Sequence, residues 1–188
     1  MNSFIIVCCI IVAAYAQASQ SKQIAACPKV RPMENLKISK KLFGYWYGCQ
    51  ESVTSFPELN KCILLIMEPN GPLGWSVISS GVSNKTGITT SMTATVTVDE
   101  QQHAITSVHY NSLPPGPITI GITILDTDYE NYLVLWSCND DQPQQTPGLW
   151  MLARNRTSCS SFKGKVKNVM DEIGVTLAMN SIDQINCS

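Results

Sequence analysis

Charge is scarce in this sequence and is not concentrated anywhere along it. Charged residues make up 14% of the 188 residues, and the 13 Lys and Arg nearly balance the 14 Asp and Glu. Runs of like charge are no longer than pairs such as Lys40–Lys41 and Asp140–Asp141. Because phosphate binding requires a clustered excess of basic residues, this composition excludes nucleic acid as the main partner.

Motifs of the common catalytic and metal sites are also missing. The only histidines are His103 and His109, and the chain has no C-x-x-C pair and no G-x-S-x-G segment. A zinc site needs several closely spaced His, Cys or acidic ligands, and an α/β-hydrolase needs the sharp turn that carries its serine. We therefore predict no metal, no required cofactor and no enzymatic activity.

The sequence contains a single long apolar run, and it is N-terminal. Residues 4–14 read FIIVCCIIVAA, followed by A-x-A sites that end at Ala16 and Ala18. This order is typical of a secretory signal peptide, and the run is too short for a helix across about 30 Å of hydrocarbon. We predict a signal peptide of residues 1–18, cleaved after Ala16 or Ala18, and no stable membrane insertion. The secreted, extracellular chain is then one domain, residues 19–188.

If the chain is secreted, its cysteines are expected to form disulfides. Cleavage removes Cys8 and Cys9 and leaves an even number, which favours disulfides in an oxidising compartment. Secretion also makes the sequons at Asn84 and Asn155 candidate N-glycosylation sites. The remaining cysteines are Cys27, Cys49, Cys62, Cys138, Cys159 and Cys187.

Short β-like runs recur about every ten residues from residue 43 onward, separated by turn signals. The clearest is Ile118–Leu125, where four isoleucines alternate with Thr and Gly. Near the C-terminus the apolar spacing becomes helical, which predicts one helix between Ser160 and Gly174. The fold class is therefore all-β, either an up-and-down barrel or a sandwich. The eight predicted strands are Phe43–Gln50, Cys62–Glu68, Leu73–Ser79, Thr89–Val98, Ala104–Tyr110, Ile118–Leu125, Tyr132–Cys138 and Leu149–Arg154.

Three separated segments resemble the signature of one family, the lipocalins. They are Gly44-Tyr45-Trp46 in the first run, Thr127-Asp128-Tyr129 after the sixth, and Arg154 at the end of the eighth. The likeness is greatest to apolipoprotein D and to the insect bilin-binding and Lazarillo-like lipocalins, notably in TDYENYLVLWSC, residues 127–138. A Glu often stands two residues after the family's tryptophan, whereas this chain has Gly48.

The resemblance implies an eight-stranded antiparallel up-and-down β-barrel, the lipocalin calyx, with the helix packed outside. Eight strands enclose space for one small ligand. It also implies disulfides Cys27–Cys138 and Cys62–Cys187, and leaves Cys49 and Cys159 either bonded to each other or free. The signature residues are expected to form the closed floor and not to contact ligand: Gly44, Trp46, Thr127, Asp128, Tyr129 and Arg154.

Alternation along the strands predicts which side chains form the wall of the pocket. Trp150 and Leu152 share parity with Arg154, which points into the floor, so both are expected to face inward. Trp136 shares parity with Cys138, and its direction stays open. The mouth is expected at Glu51–Asn60, Ser80–Gly87, Asn111–Pro117 and Asn139–Gly148. The predicted ligand-binding wall is Trp150, Leu152, Trp75, Val77, Met92, Ala94, Val108, Tyr110, Ile118, Ile120 and Ile122, with Val96 and Thr106 of the same parity.

These expectations favour a carrier or scavenger of one small hydrophobic molecule, such as a fatty acid, a steroid or a bilin. Because the predicted wall holds no Lys or Arg, a neutral or amphipathic ligand with its polar end at the mouth is favoured. The alternative is an extracellular inhibitor or protein-interaction lipocalin that acts through its surface, with a pocket filled by its own side chains. A few lipocalins are enzymes that isomerise a lipid with a thiol inside the barrel, and Cys49 is the only candidate for such a thiol here. Because Cys49 shares parity with the outward Tyr45 and Tyr47, it is expected to point away from the cavity.

Overall fold

The structure, a computed structural model, describes residues 26–52, 60–71, 74–111, 116–139 and 147–187. The predicted signal peptide, residues 1–18, lies outside the described residues, as do parts of three predicted mouth loops. The predicted loop at residues 80–87 is described in full.

The strands form one closed antiparallel barrel. Each strand pairs with the next along the chain, and β1 pairs with both β2 and β8, which closes the sheet on itself. The prediction of an eight-stranded all-β barrel is confirmed, and the sandwich is wrong. The strands are β1 Gly44–Glu51, β2 Lys61–Pro69, β3 Gly74–Val82, β4 Thr89–Val98, β5 Ile105–Tyr110, β6 Ile118–Thr127, β7 Tyr132–Ser137 and β8 Gly148–Ala153.

Two apolar clusters lie on opposite faces of the barrel wall. On β7, Leu133 and Leu135 belong to the cluster inside the barrel, whereas Val134 and Trp136 belong to a second cluster outside it. The outer cluster fills the space between the wall and the C-terminal helix. β7 is therefore buried on both faces and has no polar side. Trp136, whose direction the sequence left open, lies on the outer face together with Cys138.

The C-terminal helix packs against this outer cluster. A 3₁₀ helix, Arg156–Phe162, leads into the α-helix α1, Lys163–Glu172, which buries Val166 and Val169. Gly174 lies just beyond the helix at φ +69°, the left-handed conformation that favours glycine after a helix end. The single helix outside the barrel is as predicted. Within the described ranges, no helix has the length and apolar character needed to cross a bilayer.

A short ninth strand, β9 Asn180–Ser181, closes a gap that the other strands leave open. The register of β1 with β2 extends only from Gly44 to Tyr47, and beyond it β1 pairs with β9 instead. The amide of Gln184 then donates to the carbonyl of Gly48 on β1 (2.8 Å) and to that of Ile63 on β2 (2.9 Å). The C-terminal segment is therefore part of the wall, a feature that the sequence patterns did not predict.

Candidate ligand site

The base of the barrel is closed by Arg154 and Trp46. The guanidinium lies over the indole ring with its carbon 3.6 Å from the ring centroid, and the fully buried indole donates from Nε1 to the carbonyl of Leu42 (2.9 Å). Arg154 also donates to the carbonyls of Phe43 (3.0 Å) and Tyr45 (2.9 Å). One side chain thereby satisfies several backbone acceptors where the strand ends meet, which suits the five-donor fork of arginine.

Gly44 lies beside the guanidinium, where the chain turns into β1. Its φ of +94° is the left-handed region, and a Cβ built on it would stand 3.6 Å from Nη1 of Arg154. The chain therefore turns into β1 in a conformation that other residues rarely adopt.

The turn between β6 and β7 supplies the other side of the base. Oδ1 of Asp128 accepts from the backbone N–H groups of Glu130 (3.1 Å), Asn131 (2.7 Å) and Tyr132 (3.1 Å). Burial alone would raise the pKa of Asp128, but hydrogen bonds from the Asn131 side chain and from these three N–H groups together lower it. The Thr127 hydroxyl donates to the carbonyl of Tyr132 (2.5 Å). The backbone carbonyl of Tyr129 accepts from Nε of Arg154 (3.2 Å). These bonds fix the conformation of the turn beside Arg154.

Above the base lies an apolar cavity of about 130 Å³ inside the barrel. All eight barrel strands and the C-terminal segment contribute to its walls. The lining residues are Glu51, Ile63, Leu65, Met67, Trp75, Val77, Ser79, Val96, Thr106, Val108, Tyr110, Ile120, Ile122, Ile124, Leu135, Trp150, Leu152 and Ile182.

Most of the predicted wall residues line this cavity, and three do not. Ala94 is buried in the inner cluster and Met92 packs against that cluster, half-buried, but neither lines the cavity. Ile118 lies at the mouth end of β6 and is 37% exposed. The predicted residues that do line it are Trp150, Leu152, Trp75, Val77, Val108, Tyr110, Ile120 and Ile122.

Sequence reasoning missed the contribution of β2 and of the tail. Ile63, Leu65 and Met67 line the cavity, but β2 reads CILLIME, with apolar residues on both faces, so no alternation marked an inner side. Ile182 follows β9, and its Cδ1 would lie 2.9 Å from a Cβ on Gly48. The tail thus fills the space that Gly48 leaves vacant, at the position where the family often has a Glu.

The most consequential cavity residue that sequence reasoning missed is Glu51. We expected it to begin a mouth loop, but it ends β1, is 5% exposed and lines the cavity. The register of β1 against β8 shifts between Gly48 and Gln50, so that Gly48 faces Leu152 and Glu51 faces Trp150. A bulge inserts one residue and reverses the alternation beyond it. Cys49 therefore points outward and Glu51 inward, although their spacing is two.

The position of the Trp150 ring at the mouth end depends on the absence of a side chain at Gly148. A Cβ built on Gly148 would lie 2.0 Å from Cη2 of the Trp150 ring and 2.6 Å from Cζ3. No real Cβ is accommodated at such distances, so the ring occupies the space above Gly148 that a side chain would take. The indole is therefore positioned by the absence of a side chain two residues earlier.

The remaining polar groups of the lining are mostly engaged with each other or with backbone. The Thr106 hydroxyl donates to the carbonyl of Ile122 (2.8 Å). Burial raises the pKa of Tyr110, and a hydrogen bond with Ser79 offsets part of that rise. These groups leave a lining that is apolar except for hydroxyls and one carboxylate.

Three disulfides join the outer parts of the molecule to the barrel. Cys27 bonds to Cys138 and Cys62 to Cys187, the pairs that the resemblance implies, and Cys49 bonds to Cys159. Because the Cys49 sulfur is bonded and lies in the outer cluster, it offers no thiol to the cavity. Among the residues that the structure describes, no group of three or more His, Cys, Asp or Glu is placed to hold a metal ion.

Comparison with known proteins gives relatives along most of the chain. Apolipoprotein D of Mus musculus is 28% identical over 174 residues, which cover 89% of this chain and 87% of that protein. The Lazarillo protein of Schistocerca americana is 33% identical over 73 residues, covering 38% of this chain and 33% of that protein. The crystal structure of insecticyanin from the tobacco hornworm Manduca sexta has a TM-score of 0.68 and 19% identity, over 84% of this chain and 85% of that one.

The match to a family profile covers the base and the cavity walls together. The profile of the lipocalin / cytosolic fatty-acid binding protein family matches residues 44–179, which run from the first base motif through all eight barrel strands and the helix. Members of that family hold small hydrophobic molecules in the calyx and are generally not enzymes. With its closed eight-stranded barrel, stacked Arg154–Trp46 base and outer helix, the chain belongs to the lipocalin family.

Proposed function

We propose that the protein is a secreted carrier or scavenger of one small hydrophobic molecule held in the calyx. The observation that carries the proposal is the apolar cavity of about 130 Å³ that the chain's own side chains leave unfilled. Transfer of apolar surface from water into such a site contributes about 25 cal/mol per Å², before the entropy cost of association. No cofactor is required for this role.

The cavity also separates this proposal from its alternative. A lipocalin that acted only through its surface, as an inhibitor or interaction protein, would have no need of an interior space. The cavity is close to the roughly 150 Å³ that accepts a single benzene ring. We therefore favour ligands of one or two rings, or a short chain, over a four-ring bilin.

Secretion is part of the proposal. Three disulfides are typical of an oxidising, extracellular compartment, and removal of residues 1–18 after Ala16 or Ala18 would deliver the chain there. Asn84 and Asn155 are both exposed, as N-glycans require. A glycan on Asn84 would stand near the mouth and one on Asn155 near the base. Intact-mass measurement of the secreted protein, before and after removal of N-glycans, tests the cleavage site and both sequons.

The central test is binding of a neutral apolar probe, 1-ethylnaphthalene, followed by native mass spectrometry and tryptophan quenching. We expect saturable one-to-one binding by the wild type, and a reduced quench in Trp150→Phe. Val108→Phe fills the cavity and should abolish binding, whereas Ser107→Phe places the same ring on the outer face of β5 and should bind as wild type does. A steroid, palmitate and biliverdin, tested in parallel, rank the ligand size.

Two outcomes would overturn this proposal. One is the absence of binding by folded wild-type protein at about 100 µM probe. The other is undiminished binding by Val108→Phe, which would place the probe outside the barrel.

A further inference from the structure

The cavity contains a carboxylate at one defined level, the mouth end of β1. Glu51 is the last residue of β1 and is 5% exposed, although no side chain of the described lining carries a positive charge. A carboxylate is rarely placed in an apolar cavity without an interaction that favours the charged form, because its desolvation is costly. Glu51 is not without a partner within the protein. A carboxylate has two oxygens with about four acceptor positions, so it can bind a ligand and a protein group at the same time.

The side chain next to Glu51 inside the barrel is an indole. Glu51 and Trp150 are directly opposite each other on β1 and β8, and such pairs have Cβ atoms about 4.5–5.5 Å apart. Both line the cavity. An ammonium group is attracted both by a carboxylate and by the face of an indole. The two neighbouring groups therefore favour the same ligand chemistry at the same height in the calyx.

The rest of the lining defines the other end of the ligand. Below Glu51 and Trp150 the walls are mostly apolar, with Leu65, Val77 and the Trp75 ring among them, down to the base. A ligand that enters with its apolar body first would therefore leave a polar end group at the level of the carboxylate. The same carboxylate repels an anionic end group, since like charges at close range in a low dielectric disfavour each other.

We propose that the calyx selects small hydrophobic amines, with the cationic nitrogen at Glu51 and Trp150 and the apolar body in the cavity below. The proposal rests on the calyx being a ligand site and adds the class of ligand. It predicts that carboxylates such as fatty acids are poor ligands, although the apolar walls alone would accept their chains.

The test compares probes that share one ring system and differ in their end group. These are 1-(aminomethyl)naphthalene, 1-ethylnaphthalene and 1-naphthoate, titrated calorimetrically at pH 7 into wild type, Glu51→Gln and Glu68→Gln. Glu68 is an exposed carboxylate at the base end of β2 and is the matched control. In wild type and in Glu68→Gln we expect the amine to bind at least tenfold more tightly than 1-ethylnaphthalene, and 1-naphthoate at least tenfold more weakly. In Glu51→Gln the amine and 1-ethylnaphthalene should fall within about threefold of each other.

The outcomes separate this inference from the proposed function. If 1-ethylnaphthalene binds but the wild type does not prefer the amine, the amine inference is wrong and the carrier role stands. If no probe binds, both fail. Persistence of the preference in folded Glu51→Gln would place the amine elsewhere. Because Glu51 also has a partner within the protein, circular dichroism of Glu51→Gln is recorded first to check that the variant folds. If it does not fold, the order of the three affinities in wild type decides whether the amine inference is right.

Discussion

The base and the mouth end of the barrel are built in opposite ways. At the base, Arg154, Trp46 and Asp128 satisfy backbone groups that would otherwise be left without partners at the strand ends. At the mouth end, a bulge, a glycine and a strand from the C-terminal segment place Glu51, Trp150 and Ile182 in the cavity. We therefore expect the base to determine mainly stability and the mouth end to determine mainly which ligand binds.

This division has a thermodynamic consequence. A substitution at the base should lower the free energy of unfolding and leave the cavity chemistry of the folded protein nearly intact. A substitution at the mouth end should change ligand affinity with a smaller effect on stability.

The largest loss of stability is expected from Trp46→Ala. The indole is fully buried, and its removal costs about 3–5 kcal/mol in lost apolar burial and cavity formation. It also removes the donor to the Leu42 carbonyl and the ring beneath the Arg154 guanidinium. Trp46→Phe keeps a ring beneath the guanidinium and should lose less. Urea denaturation measures both; equal losses in the two variants would mean that the stacking adds nothing.

Removing the disulfide that anchors the C-terminal segment tests the contribution of that segment to the barrel wall. Cys62→Ala/Cys187→Ala should cost about 2–5 kcal/mol and should also weaken probe binding, since Ile182 is then less firmly held. The matched control is Cys27→Ala/Cys138→Ala. Its sequence separation of 111 is close to the 125 of the other pair, so the loop entropy lost is similar. If both double variants weaken binding alike, the segment has no special role in the calyx.

Gly148→Ala should disturb the calyx more than the fold. A methyl group at that position meets the Trp150 ring at 2.0 Å, so the ring must move, at a cost of about 1–3 kcal/mol. We expect a shifted tryptophan emission spectrum and weaker amine binding. Gly121→Ala is the control, because a Cβ there has nothing within 4 Å. An unchanged spectrum in Gly148→Ala would contradict the placement of Trp150.

The smallest effect is a pH dependence at the base. The folded pKa of Asp128 is lowered, so its stabilising contribution is present above the unfolded value of about 3.9 and is lost as the pH falls through the folded pKa. Asp128→Asn should therefore be less stable than wild type at pH 6, and the difference should shrink below about pH 4. Thermal denaturation between these values measures it; a difference that grows on acidification would contradict the assignment.

The base could be predicted because three separated segments resemble the lipocalin signature in the family's order. Gly44, Trp46, Asp128 and Arg154 belong to those segments, which lie at or near strand ends. Part of the wall could also be predicted, because Val108 and Ile120 alternate with polar residues or glycine. Alternation did not show how far along a strand the cavity extends, and Met92, Ala94 and Ile118 do not line it.

The mouth end could not be predicted for three physical reasons. A one-residue bulge leaves no mark in composition, yet it reverses the direction of Glu51. The β2 strand has apolar residues on both faces, so parity did not identify Ile63 or Leu65. Pairing of β9 with β1 joins residues about 130 apart in sequence, and no local pattern specifies such a contact.

One thermal denaturation experiment tests the contrast most directly: melting of Arg154→Ala, Glu51→Gln and wild type, with and without 1-(aminomethyl)naphthalene. The melting temperature without probe reports stability, and the rise on adding probe reports binding to the folded state. We predict that Arg154→Ala melts several degrees below wild type but keeps the rise, whereas Glu51→Gln melts within about 4 °C of wild type and loses it. Loss of the probe-induced rise in melting temperature in Arg154→Ala, or its retention in Glu51→Gln, would contradict the assignment of stability to the base and of ligand binding to the mouth end.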